Sequence, residues 1–147
     1  MDGKLLDKLE ALCSRSEHCS SDVRAKALKA LQGDAAAADE IVAKLQSEGY
    51  VDDARYAAAF ARDKAQLAGW GPSKISYMLR SKGIASVAID AALKDIDSEK
   101  ADEKMAKVLL AKYKVVKDDP QWRFKLIKFG LTRGYEYDSI SKFLSEL

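Results

Sequence analysis

The sequence has 147 residues, of which 48% are apolar and 33% charged, with a formal net charge of +2. A chain of this length can bury a core without disulfides or metal ions, and two prolines and eight glycines leave room for long helices, so we predict an all-α protein. With His18 as the only histidine and no glycine-rich phosphate loop, the sequence disfavours histidine-based catalysis and nucleotide-dependent enzymes.

Helical spacing of apolar residues, interrupted by glycine and proline, predicts nine helices. Pro72 suits the first turn of a helix, and Asp52 or Asp53 suits an N-cap. The expected helices cover residues 5–15, 20–31, 37–47, 52–67, 72–82, 85–96, 99–113, 120–133 and 137–146.

An internal repeat is marked by Gly33, Gly83 and Gly134, which follow helices and stand 50 and 51 residues apart. Each glycine suits the left-handed position after a helix. Three copies of about 49 residues would fill the chain. We therefore expect three-helix repeats at 1–50, 51–97 and 98–147, stacked as an array.

The charge is unevenly distributed, with −4 in residues 1–54, +1 in residues 55–103 and +5 in residues 104–147. The chain thus has an acidic first part and a basic last part. A basic surface can neutralise phosphates or meet an acidic protein groove, and charge by itself does not choose between the two.

Two basic ridges are predicted at equivalent places in the second and third repeats. Lys74, Tyr77 and Arg80 share one side of the helix at 72–82, and Lys125 and Lys128 share one side of the helix at 120–133. Repeated basic side chains suit a helical filament or a polyanion. The candidate binding residues are Lys74, Tyr77, Arg80, Lys82, Arg123, Lys125, Lys128 and Arg133.

Other conspicuous residues have structural interpretations. We expect Asp52 and Asp53 to cap a helix rather than act as a catalytic pair, with Arg55 ion-paired to Asp52. Cys13, His18 and Cys19 lack a fourth zinc ligand, so we expect reduced thiols and no metal or other cofactor. The aromatic residues expected in the core or between repeats are Tyr56, Phe60, Trp70, Tyr113, Trp122 and Tyr137.

Three segments resemble signatures of a known family. The segment Gly49–Ala57, followed by Phe60, resembles the first signature of the RecX family, small bacterial regulators of the RecA recombinase. The segment Gly69–Ile75, with Leu79 and Lys82–Ile84 behind it, is similar to the second. Residues 123–129 with Arg133–Tyr135 resemble a weaker third one. The signatures keep their order along nearly the whole chain.

The resemblance implies a curved, elongated array of three-helix units that binds the groove of the RecA–DNA filament. The protein would then regulate RecA without catalysis, lowering its ATPase, coprotease and recombinase activity in DNA repair and the SOS response. Some members of the family bind DNA themselves, so direct contact with the phosphate backbone of single- or double-stranded DNA is the alternative function. The acidic first repeat is not expected to touch phosphate.

The absence of an apolar run of about 20 residues or of a hydrophobic segment after Met1 predicts no membrane association. We expect a cytoplasmic protein that is a monomer.

Overall fold

A computed structural model describes residues 1–147 and contains helices and no strands. The all-α prediction is confirmed, and all nine predicted helices are present. The helices are α1 (Gly3–Arg15), α2 (Ser20–Ala30), α3 (Ala35–Ser47), α4 (Asp53–Asp63), α5 (Pro72–Ser81), α6 (Ser86–Lys94), α7 (Ser98–Val116), α8 (Trp122–Thr132) and α9 (Tyr137–Ser145). A π-helical turn at Lys64–Ala68 extends α4, and α7 runs three residues beyond its predicted end.

Aspartate caps fix the starts of four helices. Asp2, Asp34, Asp52 and Asp97 each accept a hydrogen bond from the backbone N–H three residues later, at 3.0–3.2 Å. Such caps satisfy backbone N–H groups that have no partner within the helix, and each contributes about 1 kcal/mol to stability. The predicted role of Asp52 as an N-cap is confirmed.

The left-handed turns predicted from the glycine repeat are present, with one difference in the first copy. Gly83 and Gly134 have φ of 77° and 94°, and the next residue donates its N–H to a carbonyl five residues back. In the first copy Gln32 takes the equivalent position, with φ of 55°, and Gly33 follows with φ of 88°. The first repeat therefore turns one residue earlier than its glycine indicates.

Each successive set of three helices encloses its own apolar cluster. The first cluster is built on Val23, Ile41 and Leu45, the second on Ile75, Leu79 and Ile89, and the third on Leu109, Leu126 and Ile140. We call α1–α3, α4–α6 and α7–α9 the first, second and third units. The buried Cys19, at the start of α2, belongs to the second cluster and so links the first two units.

Polar contacts join the first and second units. The Asp53 carboxylate accepts from the Ser20 N–H at 2.7 Å and from the Ser20 hydroxyl at 2.6 Å. Lys82 forms an ion pair with Asp22 at 2.8 Å, and the Lys82 carbonyl accepts from Ser21 Oγ at 2.6 Å. No hydrogen bond or ion pair joins the first unit to the third, so the units are connected in chain order.

Two predictions about single residues are wrong. Arg55 does not pair with Asp52, because it forms an ion pair with Glu17 and donates to the Gly49 carbonyl at 2.9 Å. Tyr137 is not in the core, because it stands at the start of α9 with 57% of its surface exposed. The spacing from Tyr137 to the buried Ile140 and Leu144 puts all three on the same side of α9, but Tyr137 stands in the first turn, where its ring stays exposed.

The other aromatic predictions are confirmed. Tyr56, Phe60 and Trp70 are partly buried against the second cluster, and Tyr113 and Trp122 against the third. Trp70 meets Phe60 edge to face, with ring centroids 6.0 Å apart, and Trp122 meets Tyr113 in the same way at 5.3 Å. Such pairs stabilise packing beyond the area they bury.

Candidate basic interface at the second–third junction

The loop before α5 packs directly on the end of α8, and we call this contact the second–third junction. The Gly71 N–H donates to the Arg133 carbonyl at 2.8 Å, and the Ser73 N–H donates to the Gly134 carbonyl at 3.1 Å. The backbones approach so closely that a Cβ on Gly71 would lie 2.2 Å from the carbonyl of Gly134. Only glycine fits there, which explains why glycine stands at both positions.

Side chains reinforce the same junction. The Arg133 guanidinium donates to the Gly69 carbonyl at 3.0 Å, and the buried Tyr135 hydroxyl donates to that carbonyl at 2.5 Å. Burial raises the pKa of Tyr135, although the nearby Arg133 charge and hydrogen bonding act against this rise. The phenol therefore stays protonated and able to donate at neutral pH. These bonds fix the second and third units relative to each other.

Two lysines converge on Trp70 at this junction. Lys64 Nζ lies 4.7 Å from the Trp70 ring centroid, and Lys74 Nζ lies 4.2 Å from it. Neither lysine forms an ion pair with an acidic side chain. Cation–π contacts of this kind hold a charged group in place without neutralising it, and are worth about 0.5–1 kcal/mol at exposed sites.

A second aromatic ring carries two more cations. Lys112 Nζ lies 5.2 Å from the Phe129 ring centroid, and the Arg133 guanidinium carbon lies 5.9 Å from it. Arg133 also binds the Gly69 carbonyl, next to Trp70, and therefore connects the two rings. We call Lys64, Lys74, Lys112 and Arg133 the junction cluster. None of its four charges is paired with a carboxylate.

Two members of the junction cluster were predicted from the sequence and two were missed. Lys74 and Arg133 were candidates, whereas Lys64 and Lys112 were not. Lys64 opens the π-helical turn, and its carbonyl accepts from the Trp70 N–H at 2.8 Å, which brings the lysine and the ring together. Because a π turn departs from 3.6-residue spacing, helical periodicity gave no signal for this contact.

The remaining candidates on α5 differ in their surroundings. Tyr77 is 65% exposed and Arg80 is exposed, with its guanidinium donating to Ser76 Oγ at 2.9 Å. Both are accessible to a partner. Lys82 is only partly exposed, because it is bound to Asp22 at the contact with the first unit. Lys82 therefore helps to hold the first and second units together, in addition to any contact with a partner.

The candidates on α8 also divide. Lys125 forms a hydrogen-bonded ion pair with Asp119. The hydrogen bonds that Asp119 accepts from Lys125 and from the Gln121 N–H lower the pKa of Asp119. Arg123 and Lys128 are exposed and unpaired, and the Arg123 guanidinium carbon stands 5.1 Å from the Trp122 ring centroid. Lys128 is thus better placed than Lys125 to contact a partner.

An apolar patch accompanies these two cations. Phe124 is 64% exposed and Leu131 is 49% exposed, and both border a shallow depression with Lys128 and Ile127. Exposed apolar surface next to unpaired positive charge is typical of binding surfaces rather than of a solvated helix face.

Features typical of metal sites, redox sites and membrane spans are not found. No group of three or more His, Cys, Asp or Glu side chains lies close enough to hold a metal ion. Cys13 and Cys19 are buried, unbridged and in different apolar clusters. None of the helices has both the length and the apolar character needed to cross a membrane.

Comparison with known proteins identifies the same family as the sequence motifs. The family model for the second three-helix domain of RecX matches residues 52–93. Regulatory protein RecX of Streptococcus pyogenes serotype M5 (strain Manfredo) is 30% identical over 108 residues, which cover 74% of this chain and 42% of the relative. Regulatory protein RecX of Clostridium botulinum (strain Eklund 17B / Type B) is 33% identical over 69% of this chain and 49% of the relative. The chain thus spans less than half the length of the curated relatives it matches.

Solved structures show the same fold. A crystal structure of regulatory protein RecX superimposes with a TM-score of 0.84 and 25% identity, covering 97% of this chain and 70% of that one. The crystal structure of RecX from Lactobacillus salivarius gives a TM-score of 0.82 at 24% identity, covering 98% of this chain and 94% of that one. On these matches, together with its motifs and fold, the chain belongs to the RecX family.

Proposed function

We propose that this chain is a non-catalytic regulator of the RecA recombinase that binds in the groove of the RecA–DNA filament. Its relatives are named regulatory proteins, which supports this role. The proposed effect is inhibition: bound chains lower the ATPase and strand-exchange activity of RecA and thereby limit DNA repair and the SOS response. The chain would act in the cytoplasm as a monomer.

The observation that carries this proposal is the junction cluster. Four unpaired cations stand on two aromatic rings at a contact where backbone hydrogen bonds fix two units together. A partner with regularly spaced negative charge gains most from cations whose spacing is already fixed, because fewer side chains need to be ordered on binding. A helical protein filament on DNA is such a partner.

The proposed binding surface extends from the junction cluster along exposed side chains of α5 and α8. Its members outside the cluster are Tyr77, Arg80, Arg123 and Lys128. Lys82 and Lys125, which are held by Asp22 and Asp119, are secondary contributors. The first unit, with −4 in residues 1–54, would face away from phosphate.

A second candidate function is direct binding of DNA. The specific observation in its favour is Phe124, which is 64% exposed on the same helix as the unpaired Arg123 and Lys128. An exposed aromatic ring beside cations can stack on an unpaired base while the cations meet phosphates, and each stacked base contributes about 1–3 kcal/mol.

The test adds the chain to preformed RecA filaments on single-stranded DNA and follows ATP hydrolysis. Replacing Lys64 and Lys74 by Glu should raise the concentration needed for half inhibition by roughly tenfold. The matched control replaces the exposed Lys26 and Lys29 of the first unit by Glu, which changes the net charge equally and should leave inhibition unaltered. Equal effects of the two double variants would contradict the assignment of the site.

Salt dependence separates the two candidate functions. Binding to DNA alone through its phosphates should weaken steeply as the salt concentration rises, because binding releases counterions from the DNA and added salt opposes that release. Recognition of the filament protein should retain a salt-resistant part. If inhibition and DNA binding lose strength in parallel over the same salt range, direct DNA binding is the better account.

A further inference from the structure

A hollow of about 230 Å³ opens at the second–third junction, beside Trp70. Its walls come from both units, and its apolar side chains include Ile75, Leu93, Ile96 and Met105. Its only charged lining residues are Asp102 of α7 and Glu136 at the start of α9. Neither carboxylate forms an ion pair within the chain.

The hollow continues along α7 and α9. A second depression of about 240 Å³ shares Asp102, Met105 and Ser139 with the first, and extends towards Phe143 and Glu146. Lys142 is its one cation. We call the two depressions together the α7–α9 groove. Its lining combines apolar side chains with three carboxylates, those of Asp102, Glu136 and Glu146.

This acidic character is opposite to that of its surroundings. Residues 104–147 carry a net charge of +5, and the junction cluster nearby is wholly basic. The α7–α9 groove therefore departs locally from the charge of the unit that contains it. Unpaired carboxylates beside uncovered apolar surface favour a ligand that has positive charge next to an apolar group, and repel phosphate.

We propose that the α7–α9 groove binds a basic linear segment of a partner protein. An apolar side chain of that segment enters the hollow between Trp70 and Met105, and flanking Arg or Lys side chains pair with Asp102 and Glu136. The volume suits one or two side chains, since small-molecule sites usually enclose about 300 Å³ or more. The occupant is thus a peptide segment and not a nucleic acid. The hollow adjoins the junction cluster at Trp70 but is lined by none of its four cations.

The experiment uses the intrinsic fluorescence of Trp70. The chain has two tryptophans, so Trp122→Phe leaves Trp70 as the single reporter at the wall of the hollow. The probe is a capped eight-residue peptide of alternating leucine and arginine. We expect a saturable change in Trp70 emission, and no such change with a peptide in which glutamate replaces arginine.

Variants locate the site. In the Trp122→Phe background, Asp102→Asn with Glu136→Gln should weaken peptide binding by about threefold to tenfold, as loss of two partly exposed ion pairs predicts. The matched control, Glu103→Gln with Asp138→Asn, alters the same two helices and the net charge equally but does not line the groove. It should bind the peptide as the parent does. Ser139→Phe, which fills the shared part of the groove, should block binding without removing charge.

The proposal is overturned if the peptide gives no saturable change, if both double variants weaken binding equally, or if Ser139→Phe binds as well as the parent. A single-stranded oligonucleotide that changes Trp70 emission in an Asp102- and Glu136-dependent way would also overturn it. Because none of the variants alters the junction cluster, RecA inhibition by these proteins tests the proposed function independently.

Discussion

Gly71 is the residue on which the second–third junction most directly depends. A Cβ at this position would lie 2.2 Å from three backbone atoms of Gly134 and Tyr135, which cannot move as a flexible side chain can. We expect Gly71→Ala to lower the free energy of unfolding by about 3 kcal/mol or more. Urea denaturation followed by circular dichroism measures this, with Gly3→Ala as the control, because nothing lies within 4 Å of a Cβ there. Equal stability of the two variants would show that the junction is not closely packed.

The two cysteines give a second prediction at the residue scale. Burial raises the pKa of the Cys13 thiol, and the neighbouring Glu17 charge raises it further. Since the thiolate is the reactive form, Cys13 should react slowly with a thiol reagent in the folded chain. Cys19→Ser isolates Cys13, and the labelling rate is compared with and without denaturant. Rapid labelling of the folded variant would contradict the burial of Cys13.

Single side chains also show where sequence reasoning reaches its limit. Lys74 and Lys128 were identified from helical spacing, and both stand free of ion pairs. Lys125 has the same spacing and basic character, but Asp119 pairs with it, and a turn outside the helix determines that contact. Periodicity predicts which side of a helix a residue occupies, and it does not predict which acid from a neighbouring loop reaches that side.

At the scale of helices, most boundaries could be predicted because local chemistry sets them. Aspartate caps, Pro72 and the glycine turns act within a few residues, so a sequence shows them directly. The π-helical turn after α4 could not be read in this way. This turn contacts α4, α7 and the Trp70 loop. Its contact with α7 depends on how the second and third units pack on each other.

The contact between α2 and the end of α5 makes a prediction about pH. Burial alone would raise the pKa of Asp22, but hydrogen bonds from Lys82 and Cys19, together with the positive charge of Lys82, outweigh burial, so the pKa of Asp22 is lowered. The hydrogen bond to Asp22 raises the pKa of Lys82. A lowered carboxyl pKa means that the stabilising contribution is complete above about pH 4 and is lost as the pH falls further. For Lys82 the contribution is lost only as the pH rises through its raised pKa.

Urea unfolding of Asp22→Asn at pH 7 and pH 3 tests this contact. We expect the variant to be less stable than the parent by up to about 1 kcal/mol at pH 7, since the pair is partly exposed, and by a smaller difference at pH 3, where part of the contribution is lost. Asp7→Asn, an exposed position without an ion pair, is the control and should show no difference at either pH. A deficit for Asp22→Asn that is as large at pH 3 as at pH 7 would mean that the carboxylate charge is not what stabilises the contact.

The whole molecule is a chain of three units whose two contacts differ in kind. The first contact combines the buried Cys19 with hydrogen bonds and ion pairs of the side chains around Asp53, Ser20 and Lys82. The second also includes two backbone–backbone hydrogen bonds and interlocked glycines. Salt should therefore weaken the first contact more than the second, because exposed ion pairs are screened. Hydrogen exchange at low and high salt measures this: protection of α2 should fall more than protection of the α5 start, and the reverse order would contradict it.

At this scale the glycine-marked repeat and the family motifs predict three three-helix units. They did not reveal the junction cluster as one surface, because its members come from the π-helical turn, α5, α7 and the end of α8. Cations so far apart in sequence are brought together only when the units pack on each other. The same holds for the α7–α9 groove, whose wall at Trp70 belongs to a different unit.

RecA regulation is tested most directly by ATP hydrolysis of preformed RecA filaments on single-stranded DNA, measured together with filament mass as the chain is added. We expect the parent chain to lower hydrolysis. Lys64→Glu with Lys74→Glu should require roughly tenfold more protein for the same effect, and Lys26→Glu with Lys29→Glu should behave as the parent. Unchanged hydrolysis and filament mass at saturating concentrations of the parent chain would contradict it.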